Sequence, residues 1–434
     1  MSKQREITGW AMYDWANSAF STTVVTAFLG PYLAALIAAS PEETLQLGAY
    51  AIEADAFYPF CVSISVILQV LFLPFLGALA DYTNLKKRLL LLFAYIGATA
   101  TMLLVFVQGN LALLGGLLFI VANFSFGAGV VFYNAYLPDL ATPQEQDNIS
   151  SKGFAYGYVG GGLLLALNLA LFQLLDDTAV AVRLSLGSAG LWWLLFTWLY
   201  PQRRLVVRQT AVSLPTDTNP ITHSLRQFVN TLREMKNQHP LTLRFLLAYL
   251  IYNDGIQTVN TVAAIFAASE IGMGPEQLVG VILLIQFVAA IGAILFNRLA
   301  QRIGAKATVI LTLIGWTGLI VYAFGWLQTP GQVWGWAFFE ALVLGSSQAL
   351  SRSMFAKMTP RHQEAAYFSL YEISERGTSW IGPLVFGLTV QLTGSSRTAM
   401  LPIITFFAFG VVVLLITDVR QAIAAAGNEV PALV

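Results

Sequence analysis

Two ten-residue segments of this chain have similar sequences. The first copy reads GALADYTNLK over residues 77–86, and the second reads NRLAQRIGAK over residues 297–306. Each copy lies between two long apolar stretches, so the same helix-to-helix turn is built twice. Parallel duplication of a six-helix unit is the architecture of a large class of membrane transporters. The repeat therefore predicts a duplicated membrane bundle and makes transport the leading hypothesis.

Composition agrees with a membrane protein and excludes several other classes. Hydrophobic residues make up 57% of the chain and charged residues 11%, whereas soluble domains carry about 25% charged residues. The net charge is zero, so we expect no nucleic-acid partner. One cysteine, Cys61, and three histidines in predicted loops provide no clustered ligands. We therefore expect no metal site and no cofactor.

Apolar runs of about 20 residues, the length that crosses a hydrocarbon core of about 30 Å, mark the predicted spans. Twelve are predicted, near residues 9–38, 54–80, 89–108, 111–137, 153–175, 181–200, 244–268, 276–297, 307–327, 332–356, 364–393 and 398–418. The predicted fold class is all-α integral membrane, with twelve transmembrane helices in two pseudo-symmetric halves. The halves are residues 1–200 and 244–434, joined by a cytoplasmic central linker over residues 201–243.

The distribution of Lys and Arg predicts the orientation of the bundle. Cationic residues concentrate in the segments on the side of both termini, and Arg352 and Lys357 at the end of the tenth span are counted there. The segments on the other side carry only Arg183 and Arg397. Because Lys and Arg stay on the cytoplasmic side, we expect both termini to be cytoplasmic.

The repeated turn is predicted to act as a gating loop. A small residue allows close helix approach, an acidic residue can cap the next helix or pair across the bundle, and cations hold the loop at an anionic surface. The second copy has Asn297 and Gln301 where the first has a glycine and an acid, so the connection that it forms between the halves should be weaker. The alternative is a loop kept only for topology, and in neither case do we expect contact with substrate. The candidate gating residues are Gly77, Asp81, Lys86, Lys87, Arg302 and Gly304.

Polar residues inside the spans are the candidate substrate and proton pathway. A charge in hydrocarbon costs at least about 2.5 kcal/mol, so such residues usually face a cavity or a partner. Four spans carry polar stripes at helical spacing, which together predict a water-accessible central path. The candidates are Asp14, Asn17, Asn253, Asp254, Gln257, Glu340, Gln348, Glu372, Glu375 and Arg376.

Depth separates these candidates. Asp254 and Glu340 lie roughly 15 Å from the starts of their spans, at about 1.5 Å per residue, so they are the best binding or proton-carrying candidates. Asp14 lies near the start of its span, and an interfacial cap is its alternative role. Glu372 and Arg376 are spaced i, i+4, which also fits a self-neutralised pair. In the functional interpretation, Arg376 or Glu375 meets a substrate carboxylate or amine.

Five local motifs resemble one known family along the whole chain. They are GWAMYDWANSAF at 9–20, YNAYLP at 133–138, YNDG at 252–255, QALSRS at 348–353 and GP at 382–383. These motifs are similar to those of the vacuolar amino-acid effluxers linked to autophagy, a branch of the major facilitator superfamily. The resemblance implies the major facilitator fold and amino-acid export. It implies a vacuolar membrane for a eukaryotic member and the inner cell membrane for a prokaryotic one, which this compact chain resembles more.

We therefore expect a secondary active transporter, not an enzyme, that moves a small solute by alternating access. Amino acids are the favoured cargo, because acids and a base in one cavity can satisfy both ends of a zwitterion. Proton coupling is a hypothesis that rests on Asp254 and Glu340, and we expect a monomer in the lipid bilayer. Two alternatives stay open: a non-transporting receptor or scaffold with this fold, and a transporter of another solute such as a sugar or a drug-like molecule.

Overall fold

The computed structural model describes residues 2–41, 44–47, 50–81, 83–207, 220–376, 381–393 and 395–434. Tyr82 in the first repeated turn and the middle of the predicted linker, 208–219, lie outside the described residues. The backbone of Arg376 ends a described helix, but its side chain also lies outside the description.

The first predicted half is a series of long helices joined by short turns. The first span begins as α1 (Lys3–Ala19), continues as a π-helix (Phe20–Phe28) and ends as α2 (Leu29–Ala38). The others are α3 (Ala54–Asp81), α4 (Lys86–Leu103) with a 3₁₀ turn (Leu104–Phe106), α5 (Ala112–Ala135), α6 (Leu137–Leu140), α7 (Gln146–Leu174) and α8 (Thr178–Leu199). The short helix α9 (Pro201–Arg204) follows at the start of the predicted linker.

The second predicted half repeats this organisation after one connecting helix. The connection contains α10 (Pro220–Gln238). The remaining helices are α11 (Pro240–Ser269), α12 (Pro275–Ile303), α13 (Ala305–Gly325), α14 (Pro330–Lys357), α15 (Glu364–Arg376), α16 (Ile381–Thr393), α17 (Ser396–Ala399), a 3₁₀ turn (Leu401–Ile403), α18 (Ile404–Ile416) and α19 (Val419–Ala425).

Local sequence explains where many of these helices begin. Proline occupies the first position of α11, α12 and α14, where its missing N–H is not needed. Asp177 caps α8 by accepting the amide hydrogens of Ala179 and Val180. The helix interiors are apolar, and in lipid a helix satisfies its own backbone hydrogen bonds.

The twelve predicted spans correspond in order to these helices. Within the described residues, nine helical runs are long and apolar enough to cross a membrane by length and composition alone. Three predicted spans correspond to helices that are not among these nine runs. These helices are α11, α14 and α15 with α16, and they carry the predicted polar stripes of the second half. Large apolar side chains such as Leu71 on α3 and Ile291 on α12 are exposed on the bundle, as expected for surfaces that face lipid.

Two features of the first half differ from the sequence prediction. The first span contains the nine-residue π-helix, where Thr26 Oγ1 donates to the carbonyl oxygen of Ser21, five residues earlier. This segment is rich in β-branched residues, which crowd the preceding turn of an α-helix. In the first predicted loop on the side away from the termini, Thr44–Leu47 pairs with Tyr50–Glu53 in a short antiparallel hairpin. The eleventh predicted span corresponds to α15 and α16, and residues 377–380 between them lie outside the described residues.

The two halves meet on two sides of the bundle. On one side α3 packs against α15, and on the other α7 packs against α12 and α14. We call the end of the bundle where α1 begins and α18 ends the terminal face, and the opposite end the distal face. The connecting helix α10 packs on α3 and α11, and Gln363 donates to Glu234 of α10 at 3.1 Å.

We expect the contact between α12 and α14 at Gly345 to leave no room for a side chain. A Cβ at Gly345 of α14 would overlap the carbonyl oxygen of Ala289 on α12. Gly345→Ala should therefore lower stability by about 1–3 kcal/mol, the usual cost of overpacking. The measurement is the thermal unfolding temperature of the purified protein. Gly335→Ala on the same helix is the matched control, because nothing lies within 4 Å of the added Cβ; equal effects of both changes would contradict this contact.

Candidate functional site

A central cavity of about 410 Å³ lies between the two halves. Helices α1, α3, α5 and α7 line it from the first half, and α11, α14 and α15 line it from the second. This volume falls within the range of about 300–1,000 Å³ typical of small-molecule sites. Five of the ten predicted pathway residues line the cavity: Asp14, Asn17, Gln257, Gln348 and Glu375.

The structure places the other described candidates outside the lining of this cavity. Asn253 is fully buried and donates to the carbonyl oxygen of Glu375 at 3.3 Å, so it fastens α11 to α15. Glu372 is fully buried on α15. Whether Arg376 pairs with Glu372 is not described, because the Arg376 side chain lies outside the described residues.

Asp254 is buried where α11 meets the start of α16. Its Oδ2 accepts the amide hydrogen of Gly382 at 2.9 Å, in the first turn of α16, where free amides and the helix dipole favour an anion. Within the described residues, Oδ1 is buried without a hydrogen-bond partner. The carboxylate therefore has a capping contact in the second half and one uncommitted oxygen.

Glu340 is buried in the middle of α14. Its exposed fraction is 1%, and within the described part of the chain Oε2 has no hydrogen-bond partner. An ionised carboxylate without partners is costly in an apolar interior, whereas the protonated acid is tolerated. Glu340 therefore has the environment of a group that carries a proton, although it does not line the central cavity.

Arg352 of α14 lies at the floor of the cavity. Its Nε donates to Ser150 Oγ at 2.9 Å and its Nη2 to the Ser150 carbonyl oxygen at 2.7 Å. Its Nη1 forms an ion pair with Asp14 Oδ2 at 3.3 Å and reaches Asn134 Oδ1 at 3.4 Å. The residue is 3% exposed, and it joins α14 to three helices of the first half.

An aromatic cage encloses this guanidinium. Its carbon atom lies 5.1 Å from the ring centroid of Trp10, 5.3 Å from that of Tyr133 and 4.1 Å from that of Phe154. Cation–π attraction is strongest where water is excluded. Gly153 leaves room for the cage, because a Cβ there would press against Tyr133 and Trp10 and lie 3.0 Å from Arg352 Nη2.

The first copy of the repeated turn contacts the other half directly. Asp81 accepts the amide hydrogens of Ala365 at 2.9 Å and Ala366 at 2.7 Å, at the start of α15. A Cβ at Gly77 would overlap the Ala365 carbonyl oxygen, so glycine is required for this approach. The carboxylate and the helix N-terminus attract each other, and they join the halves at the terminal face.

The two lysines of this turn have different partners. Lys86 is buried, with Nζ 3.1 Å from Asp139 Oδ2 and 3.8 Å from Glu364 Oε2, so it links the two halves. Lys87 Nζ donates to the Leu205 carbonyl oxygen at 2.6 Å, which holds the start of the linker against the first half.

The second copy forms a weaker connection. Gln301 and Arg302 are exposed, and Asn297 Nδ2 reaches Asn148 Oδ1 of α7 at 3.4 Å. Gly304 adopts a φ of +92° at the end of α12, a conformation that favours glycine. No inter-half ion pair is present at this copy among the described residues, as expected from the replacement of its acid by glutamine.

A second charged connection lies beside the cavity floor. Lys357, at the end of α14, forms an ion pair with Asp147 Oδ1 of α7 at 2.7 Å, and Ser353 donates to the same oxygen. Lys357 is 1% exposed. We call the contacts of Asp81, Arg352 and Lys357 across the halves the three latches.

The cations at the end of α14 lie near the terminal face, where the sequence analysis counts them, but they are not loop cations. Arg352 and Lys357 are buried inside the bundle in ion pairs with the first half. A signal was present, because Arg352 lies inside a predicted span and one turn after Gln348, on the same polar stripe.

We expect the Asp81 latch to hold the start of α15. Asp81→Asn removes the charge that interacts with the amides of Ala365 and Ala366. A negative charge at a helix N-terminus stabilises the helix by about 0.3–2 kcal/mol. Hydrogen exchange measured by mass spectrometry should therefore be faster in peptides covering 364–370. Gln301→Asn at the equivalent position of the second copy is the control and should leave this exchange unchanged; unchanged exchange in Asp81→Asn would contradict the latch.

Comparisons with known proteins place the chain in a family. Residues 2–427 match the family described as "Vacuole effluxer Atg22 like". The chain is 31% identical to the "Uncharacterized MFS-type transporter YxiO" of Bacillus subtilis (strain 168), over 95% of this chain and 96% of that protein. It is 25% identical to "Autophagy-related protein 22-1" of Aspergillus niger, over 85% of this chain and 74% of that protein.

Solved structures confirm the fold. The fucose transporter FucP in the outward conformation superposes with a TM-score of 0.70, at 12% identity, over 96% of this chain and 98% of that chain. The human organic anion transporter MFSD10 superposes with a TM-score of 0.65, at 16% identity, over 95% of this chain and 100% of that one. The family and these neighbours are transporters, so the prediction that the chain is not an enzyme is confirmed. The chain is a multi-pass membrane protein with the twelve-helix major facilitator fold, and it belongs to the Atg22-like vacuole effluxer family.

Proposed function

We propose that this protein is a secondary active transporter of amino acids that works by alternating access. The observation that carries the proposal is the pairing of Asp14 and Arg352 at the floor of the central cavity. A carboxylate and a guanidinium side by side match the two charges of an amino acid. Relatives described as transporters and effluxers support the same activity.

The three latches support an alternating-access cycle. All three join the first half to the second near the terminal face. The cavity above them continues past Val25 and Val62 toward the distal face. We therefore interpret the structure as a state closed at the terminal face, in line with the similarity to FucP in its outward conformation. Transport requires the latches to part while the distal side closes.

Proton coupling through Asp254 and Glu340 is part of the proposal. Each carboxylate is buried and has an oxygen without a hydrogen-bond partner in the described part of the chain. A proton neutralises such a group, so its uptake or release can accompany movement of the surrounding helices. Neither residue lines the cavity, so coupling would act through α11, α14 and α16 and not through direct contact with cargo.

Membrane and assembly are also proposed. The Lys and Arg distribution favours cytoplasmic termini, and the bacterial relative covers nearly the same length as this chain, which favours an inner cell membrane. Both halves of the cavity belong to one chain, so a monomer is sufficient for transport.

The cargo is tested by flux in proteoliposomes. We expect uptake of one group of labelled amino acids and no uptake of sugars, polyamines or nucleosides. Uptake of another solute class would keep the transporter and reject the amino-acid cargo. A reconstituted protein that moves none of these solutes would favour the non-transporting scaffold.

The coupling role is tested by neutral variants. Glu340→Gln and Asp254→Asn should each abolish uptake driven by a pH gradient, because neither variant can carry a proton. Downhill uptake without a gradient is the companion measurement, which separates coupling from folding. Gradient-driven uptake at the rate of the unmodified protein would contradict the role.

Glu145→Gln is the matched control for this experiment. Hydrogen bonds from Lys3 and from the Thr142 amide lower the pKa of Glu145 to about 2. Its carboxylate therefore stays ionised over the pH range of transport assays and cannot exchange a proton there. We expect gradient-driven uptake by this variant to match that of the unmodified protein.

A further inference from the structure

Arg352 connects the second half to the first at the cavity floor. Arg352 belongs to α14, yet its four side-chain hydrogen bonds to described residues end on α1, α5 and α7. The three rings of its aromatic cage also belong to the first half. The terminal face cannot open between α14 and these helices unless the guanidinium leaves this pocket.

The guanidinium is held tightly on one edge and loosely on the other. The edge formed by Nε and Nη2 lies 2.7–2.9 Å from Ser150, which does not line the cavity. Nη1 lies 3.3 Å from Asp14 and 3.4 Å from Asn134, and both of these residues line the cavity. Contacts near 2.9 Å are typical of strong N–H···O bonds, so the weakly held edge is the one that a ligand in the cavity can reach.

Asp14 is also open to a ligand. Its two recorded donors, Tyr133 Oη at 2.7 Å and Arg352 Nη1 at 3.3 Å, both contact Oδ2. Its Oδ1 accepts no recorded hydrogen bond from the described residues. The side chain is 15% exposed, compared with 4% for Arg352, so the carboxylate is the more accessible member of the pair.

Charge balance determines what can separate this pair. Parting two buried ions without replacement leaves each uncompensated, which is strongly unfavourable. A ligand with only a carboxylate can neutralise Arg352 but leaves Asp14 unpaired, and a ligand with only an ammonium does the reverse. A zwitterion supplies both counter-ions at once.

We propose that the zwitterionic head of the cargo opens the terminal-face gate by exchange with the Asp14–Arg352 pair. The cargo carboxylate takes the Nη1 edge of Arg352, and the cargo ammonium takes Asp14. This inference rests on the proposed amino-acid transport and adds the residues that read the cargo's two charges. Binding of the cargo head and opening of the Arg352 latch are then one event. An analogue whose amine or carboxylate is blocked should therefore bind weakly and leave the gate closed.

The rest of the cavity indicates the side chain of the cargo. Above the charged floor, the walls include the apolar side chains of Val62, Phe119, Phe126 and Val130 beside polar ones such as Asn123. The apolar part of the wall favours an apolar group by burial of apolar surface. We therefore use L-leucine as the zwitterionic probe, with N-acetyl-L-leucine as the anionic analogue and L-leucine amide as the cationic one.

The first experiment measures the affinity of the purified full-length protein for each probe by ligand-dependent thermal stabilisation. We expect L-leucine to bind at least about tenfold more tightly than either analogue, the loss expected for one charge-assisted hydrogen bond. Asp14→Asn should remove the preference over N-acetyl-L-leucine and keep the preference over L-leucine amide. Arg352→Gln should do the opposite.

Asp147→Asn is the matched control. It removes a carboxylate that pairs with a buried cation of α14, as Asp14 does, but neither Asp147 nor Lys357 lines the cavity. This variant should weaken a latch without changing the preference among the three probes. If Arg352→Gln does not fold, the comparison of Asp14→Asn with Asp147→Asn still decides the proposal.

The second experiment reports opening directly. Ala349 is fully buried, and its carbonyl oxygen accepts the hydroxyl hydrogen of Ser150 at 2.7 Å, so it lies where α14 contacts α7. Ala349→Cys in a Cys61→Ser background places the chain's single thiol at this contact. L-leucine should accelerate maleimide labelling of this thiol, and the two analogues at saturating concentration should not.

The outcomes separate this inference from the proposed function. Stabilisation by L-leucine with equal affinity for both analogues, or an equal change of preference in Asp14→Asn and Asp147→Asn, would overturn the exchange and leave amino-acid transport standing. Labelling that rises equally with all three probes would also overturn it. Stabilisation by sugars or nucleosides, with none by amino acids, would overturn the cargo and the exchange together.

Discussion

The need to pair charges inside a hydrocarbon layer organises this bundle. An unpaired ion in that environment is costly, so the buried cations Lys86, Arg352 and Lys357 each lie against a carboxylate. Because their carboxylate partners include residues of the other half, the same constraint also joins the two halves. Ion pairs formed in this way are costly to break singly, so they oppose separation of the two halves at the terminal face.

Hydropathy was sufficient to predict most of the fold. Twelve apolar runs correspond to the helices in order, because each run must satisfy its own backbone hydrogen bonds in lipid. The π-helix over Phe20–Phe28 was not predictable from hydropathy, which is the same for an α-helix and a π-helix. The hairpin that pairs Leu45 with Ile52 is too short for its alternation to stand out from the neighbouring apolar spans.

The candidate site was only partly predictable, for a physical reason. Helical spacing shows which polar residues share a face, and Asp14 and Asn17, which it groups, both line the cavity. It does not show what that face meets. Asp254 meets the start of α16, and Glu340 is buried and does not line the cavity. The partners of Arg352 lie more than 200 positions away in sequence, a separation that periodicity within one helix does not reach.

The unequal repeats have a consequence for how the terminal face opens. The first copy joins α3 to α15 through Asp81 and the backbone amides of α15. Among the residues that the structure describes, the second copy contributes the long Asn297 contact with α7. The charged connections on that side, at Arg352 and Lys357, come from α14, outside the repeat. Two of the three latches therefore come from α14, and the one at Arg352 lines the cavity. A gate built from two identical turns would lie away from the cavity on both sides, and occupancy of the site would have no direct effect on it.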